Sequence, residues 1–542
     1  MKLAVPRGPR EVGAINGLGK GLGENHPIGM QDVSETPPKP SCSRALQRPD
    51  LHVNTGDLPA TARDLRDRLA SAGYIFDRGV PVKIVPAADG PPTAIRLTAN
   101  GIVMETHRLC RPVRLEGDGS VPVTLPDRVA RMYLDSSGEW GLAPLAGVTT
   151  APLLAPDGTM RTPEGYDPIT RLWCSKVPAL RIPDQPRREE AQVSLELLRR
   201  TFRTFPFADA VRKPEPALGP DVVDLDHPPG RDESAFLVGL LTAICRPNLW
   251  LAPGFLVRAP EISGAGTGKG LLVRAMCAIA FGVHPRAFTR GGDRQELDKR
   301  LASDLIEGAP ALFLDNVNGW MLRSDLLASV LTERPARVRP LGRTKMLALN
   351  CAAFIAVTGN GLTLSEDLVR RFLLCELDAR CEDPEQRSFE SDFLAKIELR
   401  RAELLAAALT IWRWGRQNSP NLVAGRPLGS FEQWAEWCRD PLLALGCRDP
   451  VERMDEIKSD DPHRRRIVEL FAAWAVHHGE RPVKAAALAE SVRALVDPQG
   501  RGRQHIAARL RQLVGTRAGG FVLTREEAAG RWGAATYSLV CT

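Results

Sequence analysis

The residues of this 542-residue chain best suited to chemistry form a run of small side chains ending in a cation, Ser263-Gly264-Ala265-Gly266-Thr267-Gly268-Lys269-Gly270. Bare glycines let successive backbone N–H groups converge on one anion, a helix starting beyond the loop adds positive potential, and the lysine adds a point charge. The spacing follows the phosphate-binding pattern G-x-x-x-x-G-K-[ST] with two departures. Ser263 stands where the first glycine lies, and Gly270 replaces the hydroxyl residue that reaches magnesium. The backbone cradle and Lys269 survive both departures, so phosphate binding is less affected than fast hydrolysis. Read alone, the string also fits a plain Gly/Ala connection between a strand and a helix.

About forty residues further on, Ala311-Leu312-Phe313-Leu314-Asp315-Asn316 has the pattern of a buried strand with an aspartate at its C-terminal edge. A carboxylate there suits a nucleotide-bound magnesium ion. In this order the two segments point to a nucleotide-hydrolysing core. Gly264, Ala265, Gly266, Thr267, Gly268, Lys269 and Gly270 are then expected to hold ATP, and Asp315 the Mg2+.

Such residues need a frame. The apolar run Phe255–Val257 precedes the loop, and Leu271, Leu272, Ala275, Met276 and Ile279 fall on one face of a helix after it. Further strand patterns at Ala311–Leu314, Ala352–Thr358 and Leu373–Leu377 are separated by helical ones. This alternation predicts an α/β core from about Leu249 to Leu377, with a parallel sheet covered on both faces. Helices are expected at Glu189–Thr204 and Glu233–Cys245 before it, and at Phe389–Trp414 and Phe431–Leu445 after it as a lid.

Upstream, residues 1–49 have the Gly/Pro-rich polar composition of a disordered segment. From Asp50 to about Pro183, and on to Pro206, the pattern is mixed α+β: a helix at Ala60–Ala72, strands at Val82–Val85 and Ala94–Leu97, and turns with a short hairpin over Gly158–Asp167. No acidic triad with a partner histidine marks a polymerase or primase site there. Asp221, Asp224, Asp226 and His227 precede Pro228-Pro229-Gly230 and read as a linker with a helix-capping acid rather than as metal ligands.

Composition narrows the class. Hydrophobic residues at 43% and charged ones at 25% fit a globular protein with a full core, which the length divides into roughly two to four domains. No apolar run has the length of a membrane span, the N-terminus lacks a signal-peptide core, and the eleven cysteines form no C-x-x-C pair. A cytoplasmic protein with reduced thiols and no membrane partner is expected. The net charge of +7 lies entirely in the last stretch: residues 462–542 hold twelve Arg and one Lys against five Glu and one Asp. A basic tail on a neutral body points first to a polyanion such as DNA, with a solvated basic surface as the alternative. Helices at Arg465–His478, Lys484–Val496 and Arg503–Val514, then strands at Phe521–Leu523 and Ala535–Val540, follow the winged-helix order. The third helix presents Arg503, Arg509 and Arg511 for DNA contact, although such domains also serve as protein adaptors.

The ordered motifs resemble the helicase-type AAA+ ATPases of phages, plasmids and integrated elements, the superfamily 3 and primase-associated helicase group. The likeness rests on Gly264 to Leu272, Leu314-Asp315-Asn316-Val317, Arg339-Pro340-Leu341-Gly342-Arg343, Thr358-Gly359-Asn360 and Asp367-Leu368-Val369-Arg370-Arg371, and it covers about Glu233 to Pro450. It implies an AAA+ P-loop core with a helical lid in a homo-oligomeric ring acting on DNA. Asn360 would be the sensor residue that orients the attacking water, or else a simple turn signal. Arg370 or Arg371 would be the arginine finger reaching a neighbour's ATP, unless it pairs with Asp367. Arg343 and Lys345 would track DNA in the ring channel, or form a plain charged turn. Asn316 stands where the family often carries a second acid; an amide orients water but cannot take its proton. Glu296 is a possible substitute base that also has Arg300 at i+4. The rival expectation is a DNA-binding replication initiator or regulator in which ATP controls assembly and hydrolysis is slow.

Overall fold

A computed structural model describes residues 48–87, 90–117, 119–216, 221–288, 294–319, 321–339, 346–386, 392–453, 462–527 and 534–541. The expected N-terminal segment 1–47 and the basic loop with Arg343 and Lys345 lie outside the described residues.

The core is mixed α/β. Helix α1 (Arg231–Cys245) precedes strand β1 (Gly254–Ala259), helix α2 (Lys269–Phe281) and the short strand β2 (Ala287–Phe288). Helix α3 (Arg294–Glu307) leads to β3 (Ala311–Leu314), and then come β4 (Phe354–Asn360) and β5 (Phe372–Glu376). The sheet order is β2-β3-β4-β1-β5, with every pair parallel. Three strand expectations shift by a residue or two; β2 was not expected, because two residues carry no period.

Alternation within the strands builds both faces. Phe255, Val257, Phe313, Phe354, Ala356, Leu373 and Cys375 join one buried cluster, while Leu256, Leu312, Leu314, Ile355, Val357 and Leu374 join the other. A parallel sheet needs crossovers, and these cover both faces. Each buried large apolar side chain contributes roughly 1.5–3 kcal/mol, so the two clusters hold the strands in register. Glycine sets the limits of α2: Gly268 precedes it at φ +92°, and Gly282 follows it at φ +69° with its N–H donating to the Ala278 carbonyl.

The N-terminal region is mixed α+β, with helices Leu58–Ala70, Ala99–Leu109 and Asp127–Asp135 beside three three-stranded sheets among the described residues. It is anchored to the core by the buried Arg78, whose guanidinium donates to the Leu305 carbonyl at 2.8 Å, the Ile306 carbonyl at 3.2 Å and the Ala146 carbonyl at 2.7 Å. The Leu305 and Ile306 carbonyls lie in the last turn of α3, and a cation is the favoured cap at a helix C-terminus.

The long helices expected after the core are broken. Phe393–Leu399 and Arg401–Gln417 are separate, and the segment expected as Phe431–Leu445 has a wider π turn at Ala435–Arg439 between short α pieces. At the C-terminal end, helices Pro462–His478, Glu490–Val496 and Arg503–Leu513 surround a core of their own. Strands Phe521–Glu526 and Thr536–Cys541 pair antiparallel and are flanked by two-residue strands, making four strands instead of the expected two-stranded ribbon. The second helix starts later than expected because Val483–Lys484 pairs with the last strand.

Among the described residues no helix is long and apolar enough to cross a membrane, and ten cysteines are free thiols, eight of them buried. Asp224 and Asp226 both pair with Lys213, at 2.7 and 3.1 Å, and His227 meets Asp224 at 3.1 Å. No group of three or more metal-ligating side chains occurs among the described residues.

Candidate nucleotide site

At the carboxyl edge of the sheet, β1, β3 and β4 release the loop with Lys269, the aspartate Asp315 and the amide Asn360 side by side. This edge is where open α/β sheets bind ligands. Gly264, Gly266 and Gly268 each have a reason to lack a side chain. A Cβ on Gly264 would fall 2.6 Å from Asn360 Oδ1, and one on Gly266, at φ +71°, would meet the backbone of Glu385 at 2.5 Å. Gly268 sits at φ +92° with Phe205 beneath it. The loop is therefore packed against Asn360, the backbone at Glu385 and the Phe205 ring, while Ala265 and Gly266 stay exposed.

Lys269 is 7% exposed, and its ammonium donates to the Gly264 carbonyl at 2.5 Å and to Thr267 Oγ1 at 3.2 Å. Thr267 itself is buried and donates to the same carbonyl at 3.0 Å. Burial pulls the ammonium down to about 8, against the opposing effect of Asp315. A neutral carbonyl is a weak partner for a buried cation, so a phosphate oxygen competes for it on favourable terms.

Asp315 is held at both oxygens. Thr358 Oγ1 donates to Oδ1 at 2.6 Å, and Arg274 Nη2 reaches Oδ2 at 3.3 Å. Thr358 also accepts from the Asn316 N–H at 3.2 Å, tying β3 to β4 at the site. Asn316 is exposed, in the left-handed region at φ +59°. On the next strand, the backbone N–H of Asn360 donates to Asn318 Oδ1 at 2.8 Å, whereas its own Oδ1 is buried without a hydrogen-bond partner. A buried amide oxygen left this way is an acceptor waiting for a donor such as water.

The two arginines after β4 part company. Arg371, with a side chain 16% exposed, donates to the Ala328 carbonyl, to Thr332 Oγ1 at 2.8 Å and to Asp367 Oδ1 at 2.7 Å. Arg370 is 63% exposed and shares Asp367 Oδ1 at 2.9 Å. Glu296 pairs with Arg300 at 3.4 Å and Lys299 at 3.8 Å. On the third C-terminal helix, Arg503 and Arg511 are exposed and Arg509 half-buried, while Ile506, Leu510 and Leu513 turn inward. The strands Ala336–Val338 and Leu347–Leu349, on either side of the segment with Arg343 and Lys345, pair antiparallel.

Sequence reasoning named Thr358 without giving it a role, and missed Arg274, Asn318 and the Pro384–Gln386 turn over the loop. Only Thr358 carried a signal, as the polar residue two before Asn360 in an otherwise apolar strand. A nucleotide's phosphates fit this cradle, given the glycine-rich loop and the weakly partnered cation, and the orphaned acceptor suits a water beside them. For magnesium, Asp315 is a carboxylate of the class that could hold it, with no side-chain oxygen on Gly270 beside it.

No family model matches the chain, and no curated protein matches it. Among solved structures, it is similar to the C-terminal region of NrS-1, at 11% identity over 84% of this chain and 96% of that one, with a TM-score of 0.32. It is also similar to a SCCmec type IV Cch described as an active helicase, at 10% identity over 85% and 90%, with a TM-score of 0.33. The JCV helicase follows at 12% identity over 45% and 65%, with a TM-score of 0.20. Likeness at this level carries no functional argument, and the reading below rests on the residues.

Proposed function

We propose that the chain is an ATP-binding, ATP-hydrolysing helicase-like motor that acts on DNA in the replication or maintenance of a mobile genetic element. The observation that carries this reading is the convergence of Lys269, Asp315 and Asn360 at one edge of a parallel sheet, beside a glycine-rich loop. The loop's N–H groups and Lys269 would bind the β- and γ-phosphates. Asn360 Oδ1 would accept a hydrogen bond from the attacking water and orient it. Asp315 would hold magnesium in place of its Arg274 contact; bound there, the metal neutralises charge on the phosphates. Arg370, exposed and lightly held, is better placed than Arg371 to reach a neighbouring subunit in a ring. The C-terminal basic domain, read as a winged helix, would meet DNA through Arg503, Arg509 and Arg511, and the ring channel through Arg343 and Lys345.

A second reading has its own support. No acid adjoins Asp315, and Asn316 is exposed, so proton removal from water is left without a dedicated base and turnover is slow. The protein would then be a DNA-binding initiator or regulator whose assembly ATP controls. ATP turnover measured with and without single-stranded DNA, together with unwinding of a forked duplex, separates the two. Stimulated turnover with unwinding supports the motor. Tight sequence-specific duplex binding with negligible turnover supports the initiator, and no ATP binding at all defeats both.

A further inference from the structure

Gly270 occupies the position at which a phosphate loop ordinarily offers a hydroxyl to the metal, and the space it vacates is filled. A Cβ at Gly270 would fall 2.9 Å from Arg274 Nη1 and 3.4 Å from each carboxylate oxygen of Asp315. Arg274 lies one turn further along the same helix, with Nη2 3.3 Å from Asp315 Oδ2 and its guanidinium 5.6 Å from the centre of the Phe313 ring. The ring and the carboxylate fix the guanidinium from two sides, and Thr358 fixes the carboxylate in turn. The place where a hydroxyl and an aspartate would share a divalent cation is thus held by a side-chain cation.

A guanidinium there has two consequences. It repels a metal ion entering beside Asp315, and it turns N–H donors toward a loop whose other face is built for phosphate. Arginine binds phosphate oxygens through a planar fork and keeps its charge at every accessible pH. We infer that Arg274 is the resident counter-charge of this loop, so that nucleotide binds tightly without a divalent cation and metal is needed only for hydrolysis. The inference rests on the reading of the loop as a nucleotide site. Gly270 is then part of the same device, since any side chain at 270 would displace the guanidinium.

Equilibrium binding of a fluorescent ADP to the full chain, in excess EDTA and in excess Mg2+, tests this. The parental protein should show dissociation constants within about threefold of each other in the two media, because the charge Mg2+ would supply is already present. Arg274→Gln should lose about tenfold or more in EDTA and recover much of it in Mg2+, while Arg274→Lys, which keeps a charge, should stay closer to the parent in EDTA. Gly270→Ser/Arg274→Gln should become the most metal-dependent of the set, with a hydroxyl restored beside Asp315. Parental binding that collapses in EDTA overturns the inference, and so does an Arg274→Gln protein as insensitive to metal as the parent. Loss of binding by every protein in both media would instead remove the nucleotide site itself.

Discussion

Two polar clusters sit on the same edge of the same sheet, and they are built on opposite terms. Over β5, Arg453 Nη2 bridges Asp232 Oδ2 at 3.1 Å and Glu376 Oε2 at 2.6 Å. The Glu376 N–H donates to Asp232 Oδ1 at 2.8 Å, and Arg258 approaches Glu376 Oε1 at 3.5 Å. All four carboxylate oxygens are engaged by charge or backbone, and the cluster ties α1, β1 and β5 to the residues just before 454. Over β1 and β4, in contrast, Lys269 holds only loop acceptors and Asn360 Oδ1 holds nothing. Burial of polar groups costs stability unless they are matched. Over β5 every carboxylate oxygen is matched, although not every donor of Arg453 is, whereas over the glycine loop a cation and an acceptor are both left with weak partners or none. Neither titratable residues at a strand edge nor a single orphaned atom therefore marks a site; a loosely held cation and an orphaned acceptor beside a glycine-rich loop do so together.

The largest expected effect tests that distinction directly. Lys269→Ala should weaken ATP binding by about two orders of magnitude, since charge-assisted bonds to phosphate are lost. Its unfolding midpoint should stay near the parental value, because the ammonium bonds only to its own loop. Calorimetric titration of ATP and a urea melt read the two quantities. Arg453→Met should do the reverse. Removing one partner of a buried ion cluster costs about 3 kcal/mol of stability, while ATP affinity should hold within about twofold. If Arg453→Met weakens ATP binding as much as Lys269→Ala does, the two clusters are one functional unit and the contrast fails.

The sequence carried one cluster and hid the other, and the reason is physical. Lys269 and its glycines are contiguous, since a phosphate cradle is made of successive backbone groups, and Asp315 and Asn360 end apolar runs that a parallel sheet requires. Alternation within those runs also made the core strands legible to within a residue or two. Asp232, Glu376 and Arg453 are scattered over more than two hundred positions and meet only through the fold. Arg274 was invisible for a related reason: as a lone charge on an apolar helix it resembles any solvent-facing residue, and only the gap at Gly270 gives it a place. The broken helices after the core failed differently. Apolar spacing at Phe431–Leu445 is helical throughout, but the π turn and Pro441 that interrupt it depend on packing against Gly415, where a Cβ would collide with the proline ring.

A smaller effect sharpens the role of the two arginines. Arg370→Ala/Arg371→Ala should bind ATP and hydrolyse it poorly, and Lys269→Ala should fail through binding. In a ring with exchanging subunits, an equal mixture of the two should recover up to about one quarter of parental turnover, the share of interfaces that pair an intact loop with intact arginines. Arg370→Ala alone should reproduce the double variant, because Arg371 is committed to Ala328, Thr332 and Asp367. No recovery in subunits shown to exchange would place the arginines in a structural role.

The mildest perturbation is proton concentration. Burial holds the Lys269 ammonium at about 8, so at pH 7 most of the free protein carries the charge that phosphate needs. Above that value the lysine is increasingly neutral, and binding must first restore its proton. The dissociation constant for ATP should therefore be flat below pH 7.5 and rise toward about tenfold per unit well above pH 8, so that binding at pH 9 is about tenfold weaker than at pH 7. The direction follows from the sign of the shift: a depressed lysine loses affinity for anions as pH rises, on the alkaline side of its own titration. Lys269→Arg keeps its charge throughout this range and should flatten the profile even where its affinity is lower. Asp315→Asn removes the carboxylate that opposes the effect of burial, so its profile should break at lower pH than the parent's. A parental profile unchanged up to pH 9.5 would mean that the ammonium is better matched than its contacts with Gly264 and Thr267 provide, and the unsaturated cluster would lose its defining member.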